Sequence, residues 1–334
     1  MKFAAGYQAR QTGELFSELI ADYAENIEEV YFSYPGFASG RPENAVSDDL
    51  TEQVEYELGV IKSMNIKLDL LLNGNCYGSD AISVKFQQET VSLLKYLDAR
   101  GLLPEIVTTT SPFVASVIRQ TMPEMEIRAS VNMRIDSLTA LEYLLEKFDS
   151  FYLRRDLQRD LATVKLFSDW SQAHGKKMCL LANSGCLRNC PYQTFHDNLV
   201  AHDRQLQKKE NVKDFIPHLC WERYYSSKKL EDFIRSSWLR PEDIKYYEPY
   251  CKVIKLATRQ HSNIRMVLAA YCSGRFDGNM LDLTEPCFSQ VFAPQILDNR
   301  LLDDVEQPGS CAINCSDCGK CSKIVQKATR SLFA

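Results

Sequence analysis

Short apolar runs with strand character alternate with longer amphipathic stretches from the first residues onward. KFAAGYQ (2–8) is followed by ELFSELIADYA, and EEVYFSY (28–34) by SDDLTEQVEYELGVIKSM, whose opening Ser and Asp are N-cap signals. IKLDLLLN (66–73) precedes ETVSLLKYLDARG, PEIVTTT (104–110) precedes SPFVASVIRQTM, and EIRASVNMR (126–134) precedes SLTALEYLLEKF. SFYLRRD (150–156) leads to LATVKLFSDWSQAHG, where Gly175 suits a helix C-cap. KKMCLLANS (176–184) is the seventh strand, and KVIKLATR (252–259) the eighth, before SNIRMVLAAYCSG.

Eight strand and helix units in alternation predict a parallel sheet, and the count of eight favours closure into a (β/α)8 TIM-type barrel. No GxGxxG follows the first strand, which counts against a dinucleotide-binding sheet. The predicted organisation is a barrel over 1–274 with an insert at about 185–250 after strand 7, then a cysteine-rich C-terminal extension over 275–334.

Barrels of this kind build their sites at the C-terminal strand ends. Sampling those ends yields amides and guanidinium groups: Asn73 and Asn75 at strand 3, Arg134 at strand 5, Arg155 and Asp156 at strand 6, Asn183 at strand 7 and Arg259 at strand 8. Arginines converging there suit a carboxylate or phosphate, because each guanidinium binds two oxygens in a planar fork. The competing reading is that they pair with carboxylates of neighbouring loops. Arg134, Arg155, Asp156, Arg259 and His196, in the stretch FHDNLVAHD, are the candidate catalytic groups. Asn73, Asn75, Asn183 and Arg240 are the candidate substrate contacts. The rim offers no Ser/His/Asp series and no HExxH helix from which to assemble peptidase chemistry.

Composition narrows the classes. The chain of 334 residues is 45% apolar with a formal charge of -5, so it is globular and has no global field to attract nucleic acid; RNA would need a local patch. No run approaches the ~20 apolar residues of a membrane span, and the N-terminus lacks a signal-peptide core, so a cytoplasmic location is expected.

Twelve cysteines without the spread of a disulfide framework point to metal or redox chemistry. NSGCLRNCPYQTFHDN (183–198) places Cys186 and Cys190 at the mouth of strand 7. Cys220 in HLCWERYY is the natural third ligand, and Cys76 in NGNCYG the fourth, because strand 3 opens onto the same mouth. Cys179 falls within strand 7 and reads as a core residue. All-thiolate ligation fits iron–sulfur clusters or structural zinc, and position at a barrel mouth favours iron. In the tail, CAINCSDCGKC places Cys311, Cys315, Cys318 and Cys321 within eleven residues, a spacing that suits zinc or a second cluster.

Three elements resemble the collagenase-like peptidases of family U32: LRRDL (153–157) at strand 6, the strand-7 end carrying Cys186, and IRSSWLRPEDI (234–244), whose Arg240 opens an Arg-Pro-Glu-Asp element before the last strand. The likeness covers the barrel. It implies a (β/α)8 fold with a four-cysteine 4Fe-4S cluster at the mouth. Members of that family hydroxylate without oxygen gas, in ubiquinone biosynthesis and on tRNA or rRNA bases, some with prephenate as oxygen source; others carry a protease label. Cys190 follows Cys186 at x3, as in the ubiquinone-type members, instead of the more usual Ser-Gly and x6 cysteine. The expectation is an iron–sulfur oxidoreductase or hydroxylase acting on an anionic small molecule or an RNA base. The alternatives are a metal-dependent peptidase and a non-catalytic cluster-bearing subunit that partners a homologous barrel.

Overall fold

The computed structural model describes residues 1–9, 13–41, 47–209, 213, 215, 218–302 and 318–333. Eight strands close into a barrel in chain order: β1 (Lys2–Gly6), β2 (Ile27–Phe32), β3 (Lys67–Leu72), β4 (Ile106–Thr109), β5 (Glu126–Ala129), β6 (Ser150–Tyr152), β7 (Lys177–Leu181) and β8 (Val253–Lys255). All neighbours are parallel, and closure is made by β1 against β8, with Lys2 opposite Val253 and Ala4 opposite Lys255. The helices α1 (Phe16–Ala21), α2 (Asp48–Ser63), α3 (Val84–Ala99), α4 (Pro112–Thr121), α5 (Leu138–Glu142) and α6 (Leu161–Ala173) make the first six crossovers. Ser47, Ser83, Ser111, Ser137 and Asp160 cap five of these with side-chain oxygens, as N-cap chemistry requires.

Every expected strand is present, but several end earlier than the apolar pattern does. The run 126–134 leaves the ladder after Ala129, because the Ser130 hydroxyl accepts the Asn132 N–H and Arg134 turns into the left-handed region at φ 55°. These early exits turn the following polar residues over the barrel mouth.

Between β7 and β8 the insert forms α7 (Gln193–Ala201), α8 (Asp203–Gln207), α9 (Leu219–Ser227) and α10 (Leu230–Ile234). Tyr224, Phe233 and Trp238 anchor it in the main core. After α11 (Ile264–Ser273), the segment 275–302 carries α12 (Met280–Leu283), α13 (Ser289–Phe292) and β9 (Gln295–Leu297). Met280, Leu281, Leu283, Phe288 and Val291 are fully buried in that same core, so this part of the extension packs as barrel and not as an appendage. α14 (Lys320–Ala328) leads to β10 (Thr329–Ser331), antiparallel to β9. No helix among the described residues is long and apolar enough to cross a membrane.

Inward and outward positions alternate along the strands, which separates two environments. The outer face of the sheet and the helices share one large apolar core, whereas the lumen holds a small cluster of Ala4, Tyr31 and Leu71, with Tyr152 beside it. Around these the lumen carries a charged and hydrogen-bonded network. Arg128 binds both carboxylate oxygens of Glu29, reaches Glu126 at 3.0 Å and donates to the Ser150 hydroxyl at 3.0 Å. Asp69 accepts from Thr108 at 2.8 Å, and the Lys255 ammonium sits 3.5 Å from the Tyr31 ring centroid.

Candidate functional site

The site is organised by an unexpected pairing of chain segments. Where β7 ends, Ser184 forms a parallel bridge with Glu285: the Glu285 N–H donates to Asn183 O at 2.8 Å, and the Gly185 N–H to Glu285 O at 3.0 Å. Only glycine fits at 185, since a Cβ there would stand 2.8 Å from Pro286 O and 2.9 Å from the Phe288 ring. The stitch delivers Cys186 and Cys287 to one place.

That place is a cavity of about 370 Å³ at the C-terminal end of the barrel, under the insert. Cys186, Cys190, Cys220 and Cys287 all line it, with Arg41, Arg155 and Glu285 on one part of the wall and His196, His218 and Trp221 on another. The thiols come from three segments: the β7 loop, the start of α9 and the stretch before α13.

Charge in the cavity is arranged around Cys186 and Glu285. Arg155 donates from Nη1 to Cys186 Sγ at 3.2 Å and to Ser184 Oγ at 3.1 Å. Arg41 grips Glu285 Oε1 from Nε at 3.1 Å and Nη2 at 2.8 Å. Burial alone would raise the Glu285 carboxyl, but Arg41, the Gln260 N–H and Arg259 outweigh it and hold it below the ordinary carboxylate range. Burial likewise works against the Arg41 cation, yet Glu285 and Cys186 keep its pKa above the usual value. Burial pushes the Cys220 thiol up to about 12, with Cys186 adding to the effect, and also raises Cys190. His196 is pushed down to about 4 by burial and by His218, whose ring centroid lies 4.4 Å away, so its imidazole is neutral near pH 7.

The expected site residues divide into distinct groups. Arg155, His196, Cys186, Cys190 and Cys220 meet at the cavity. Arg259 lies in a smaller adjoining cleft. Arg134 instead clamps α7 through Thr194 and through Asp197 at 2.7 Å, and Asp156 holds the rim loop by accepting from Arg154 and the Asn189 N–H. Neither lines the cavity. Asn183 spends its amide on the backbone of Ala257 and Leu283, and Arg240 binds Leu302 O; neither lines the cavity. Asn73 bridges Gly40 and Ser130 in the wall, while Asn75 Oδ1 is buried without a hydrogen-bond partner.

Cys76 accepts the Gly78 N–H at 3.4 Å on the β3 side and does not line the cavity. Cys287, which the sequence reading did not single out, lines the cavity instead. Of the tail cysteines, Cys318 is exposed and Cys321 half-buried, while Cys311 and Cys315 lie outside the described residues. Sampling strand ends also missed Arg41, Glu285 and His218. Arg41 follows a glycine in the loop after β2, a position that strand-end reasoning reaches in principle; Glu285 and Cys287 return from beyond the eighth helix and carry no local signal.

Among the described residues, no group of three or more His, Cys, Asp or Glu is arranged to hold a single metal ion. One zinc bound to thiolates at about 2.3 Å would draw its sulfurs to within about 4 Å of one another.

No family model matches the chain. A curated relative, the uncharacterized protease MJ1657 of Methanocaldococcus jannaschii, is 26% identical over 311 residues, covering 90% of this chain and 89% of the relative. Among solved structures, that of the U32 peptidase Mk0906 superposes with a TM-score of 0.55 at 15% identity, over 78% of this chain and 94% of that one. The first similarity runs along nearly the whole sequence, and the second is a likeness of the barrel.

Proposed function

This chain resembles the U32 peptidases in its motifs and in its barrel, and from that premise we propose that it is an iron–sulfur oxidoreductase of the oxygen-independent hydroxylase type, acting on an anionic small molecule. The observation that carries the reading is the convergence of four thiols from three chain segments on one cavity beside two guanidinium groups. Soft donors alone select zinc, copper(I) or iron–sulfur centres. A polynuclear cluster, whose thiolates each bind a different iron, accommodates ligands that arrive from three separate segments.

Cys186, Cys190, Cys220 and Cys287 would hold the cluster, with Cys287 in the role first given to Cys76. A cluster there supplies one-electron chemistry. Around it the chain's own groups have definable tasks. Arg155 and Arg41 offset the negative charge of the thiolates, and the Arg155 hydrogen bond fixes the Cys186 rotamer. Neutral His196 presents one N–H and one lone pair to the cavity, which suits it to orient a hydroxyl or carbonyl. Trp221 and Leu187 supply the apolar wall that limits water. A cavity of about 370 Å³ is of the size that holds a small molecule.

The peptidase reading is favoured by the relative's name. It needs an activated nucleophile with its base, and the Cys190 and Cys220 thiols are raised and therefore protonated near neutrality.

Anaerobic reconstitution with iron and sulfide separates the two. The expected result is a brown protein with about four iron and four sulfide at this site. Ser substitution at Cys186, Cys190, Cys220 or Cys287 is expected to abolish it, and Cys76→Ser to leave it intact. Colourless protein with stoichiometric zinc, or peptide cleavage that is lost on a cavity substitution, would overturn the proposal.

A further inference from the structure

We infer that Tyr224, buried behind the cysteine-lined cavity, is a positioning residue: its hydroxyl donates a hydrogen bond to the Cys220 sulfur once that thiol ligates the cluster, and so raises the cluster's reduction potential. The inference rests on the four cavity thiols holding an iron–sulfur cluster, and it gives a task to a side chain that the cavity wall conceals.

Cys220 and Tyr224 are four residues apart on α9, so they follow one another along one face of the helix. Cys220 lines the cavity, whereas Tyr224 is wholly buried. Its ring packs edge-on to Phe288, 4.7 Å between centroids, and tilts against Phe292 at 5.4 Å. Phe288 directly follows Cys287, and it is also the ring that a Cβ at Gly185, next to Cys186, would meet at 2.9 Å. One ring therefore connects Tyr224 to the segments that carry Cys186 and Cys287.

The Tyr224 hydroxyl is buried and has no hydrogen-bond partner among the described residues. Buried hydroxyls nearly always have one, because a donor removed from water and left unpaired is costly. Two kinds of acceptor act on it, the thiols of Cys220 and Cys186 and the Asp232 carboxylate. Asp232 is already held by two guanidinium groups: Oδ2 accepts from Arg223 Nε at 2.5 Å and Oδ1 from Arg235 Nη1 at 3.2 Å. Of the two thiols, Cys220 stands on the tyrosine's own helix and acts on it more strongly. A protonated thiol is a weak acceptor, which accounts for the idle hydroxyl; ligation to iron requires the thiolate, a strong one. Burial keeps the hydroxyl protonated far above neutrality, with Cys220 and Asp232 adding to the shift, so it remains a donor. A hydrogen bond to a ligating sulfur draws charge from the cluster and favours its reduced state.

The test compares Tyr224→Phe, which removes the oxygen and keeps the ring, with Tyr247→Phe. Tyr247 has another hydroxyl that is buried without a partner among the described residues, but the groups acting on it are Arg159, Asp243 and Cys251, none of which lines the cavity. In urea, both iron-free variants should unfold at the parent's midpoint or above it, since neither loses a hydrogen bond. After anaerobic loading, Tyr224→Phe should keep its iron count while its redox equilibrium shifts about tenfold toward the oxidised cluster, a fall of ~59 mV for one electron. Tyr247→Phe should keep the parent potential. Electron-nuclear double resonance of the reduced protein, loaded in H2O and in D2O, should show an exchangeable proton coupling in the parent that Tyr224→Phe lacks. An unchanged potential in fully loaded Tyr224→Phe, or an equal fall in both variants, would overturn the role of Tyr224 and leave the cluster standing. So would a lower urea midpoint for iron-free Tyr224→Phe, which would mean that the hydroxyl is already bonded in the metal-free fold. A parent that takes up no iron would instead sink the cluster reading, and this inference with it.

Discussion

Arg155 Nη1 stands 3.2 Å from Cys186 Sγ, and the same nitrogen reaches Ser184 Oγ at 3.1 Å, so one guanidinium ties the β6 end to the first thiol of the cavity. Hydrogen bonds and positive charge at a ligating sulfur favour the reduced cluster. Arg155→Met keeps much of the side-chain volume and removes both effects. The expected outcome is a protein that still takes up iron but whose reduction potential falls by tens of millivolts, ~59 mV being a tenfold change for one electron. Anaerobic spectroelectrochemical titration measures it, and an unchanged or raised potential would refute the role.

Gly185 is the pivot that brings Cys287 to Cys186. An added methyl meets the Pro286 carbonyl and the Phe288 ring below 3.0 Å, and a backbone atom cannot step aside as a flexible side chain can. Gly185→Ala should therefore cost about 1–3 kcal/mol of stability and reduce iron incorporation at a temperature where the parent is fully folded. Chemical denaturation together with iron counts on the refolded protein checks both. Normal iron uptake in a destabilised variant would show that the 183–186 and 284–287 segments need not stay stitched.

Legibility followed the range of the interactions. The eight strands could be read because their apolar runs are local, and Cys186, Cys190 and Cys220 because they cluster around one insert. Cys287 could not, since nothing in TEPCFSQ signals that residue 285 will bridge to residue 184 across about a hundred positions. Asn183 was legible as a polar strand end but not in direction: its amide turns toward Ala257 and Leu283 and completes the wall. The charged lumen has a sequence trace, in the Glu29, Asp69, Arg128 and Lys255 that interrupt otherwise apolar strands. Period-two counting places them inside only once closure of the sheet is known.

Lumen titration makes stability depend on pH. Burial pushes the Asp69 carboxyl up to about 7 from 3.8, despite Arg128, and its Oδ1 has no hydrogen-bond partner. Burial pushes Lys255 down to about 8 from 10.5, with Asp69 opposing the shift. Between about 4 and 7 the folded state holds the extra proton on Asp69, so its contribution to stability falls as pH rises. Between about 8 and 10.5 the unfolded state holds the extra proton on Lys255, so that contribution rises with pH. Asp69→Asn should flatten the lower limb: melting temperature across pH 5 to 7 should decline less than in the parent. An identical slope in both proteins would refute the assignment.

Arg128 and Glu29 form a deeply buried ion pair of the lumen, each more than nine-tenths removed from solvent and joined by two hydrogen bonds. Cutting such a pair on one side strands a charge in a place that water cannot reach, at a cost of about 3–5 kcal/mol. That is a large part of the ~5–15 kcal/mol by which domains are usually stable. Arg128→Met should therefore shift the urea midpoint sharply downward, and more than Glu29→Gln, because Arg128 also faces Glu126 and lies 3.7 Å from Asp69. Replacing both partners, Glu29→Leu with Arg128→Met, removes the stranded carboxylate and should recover part of the loss. Recovery stays partial because Asp69 has still lost the Arg128 cation beside it, whereas Glu126 keeps Lys177 at 2.6 Å. If Arg128→Met alone matched the parent in urea, the lumen pair would have no part in holding the barrel closed.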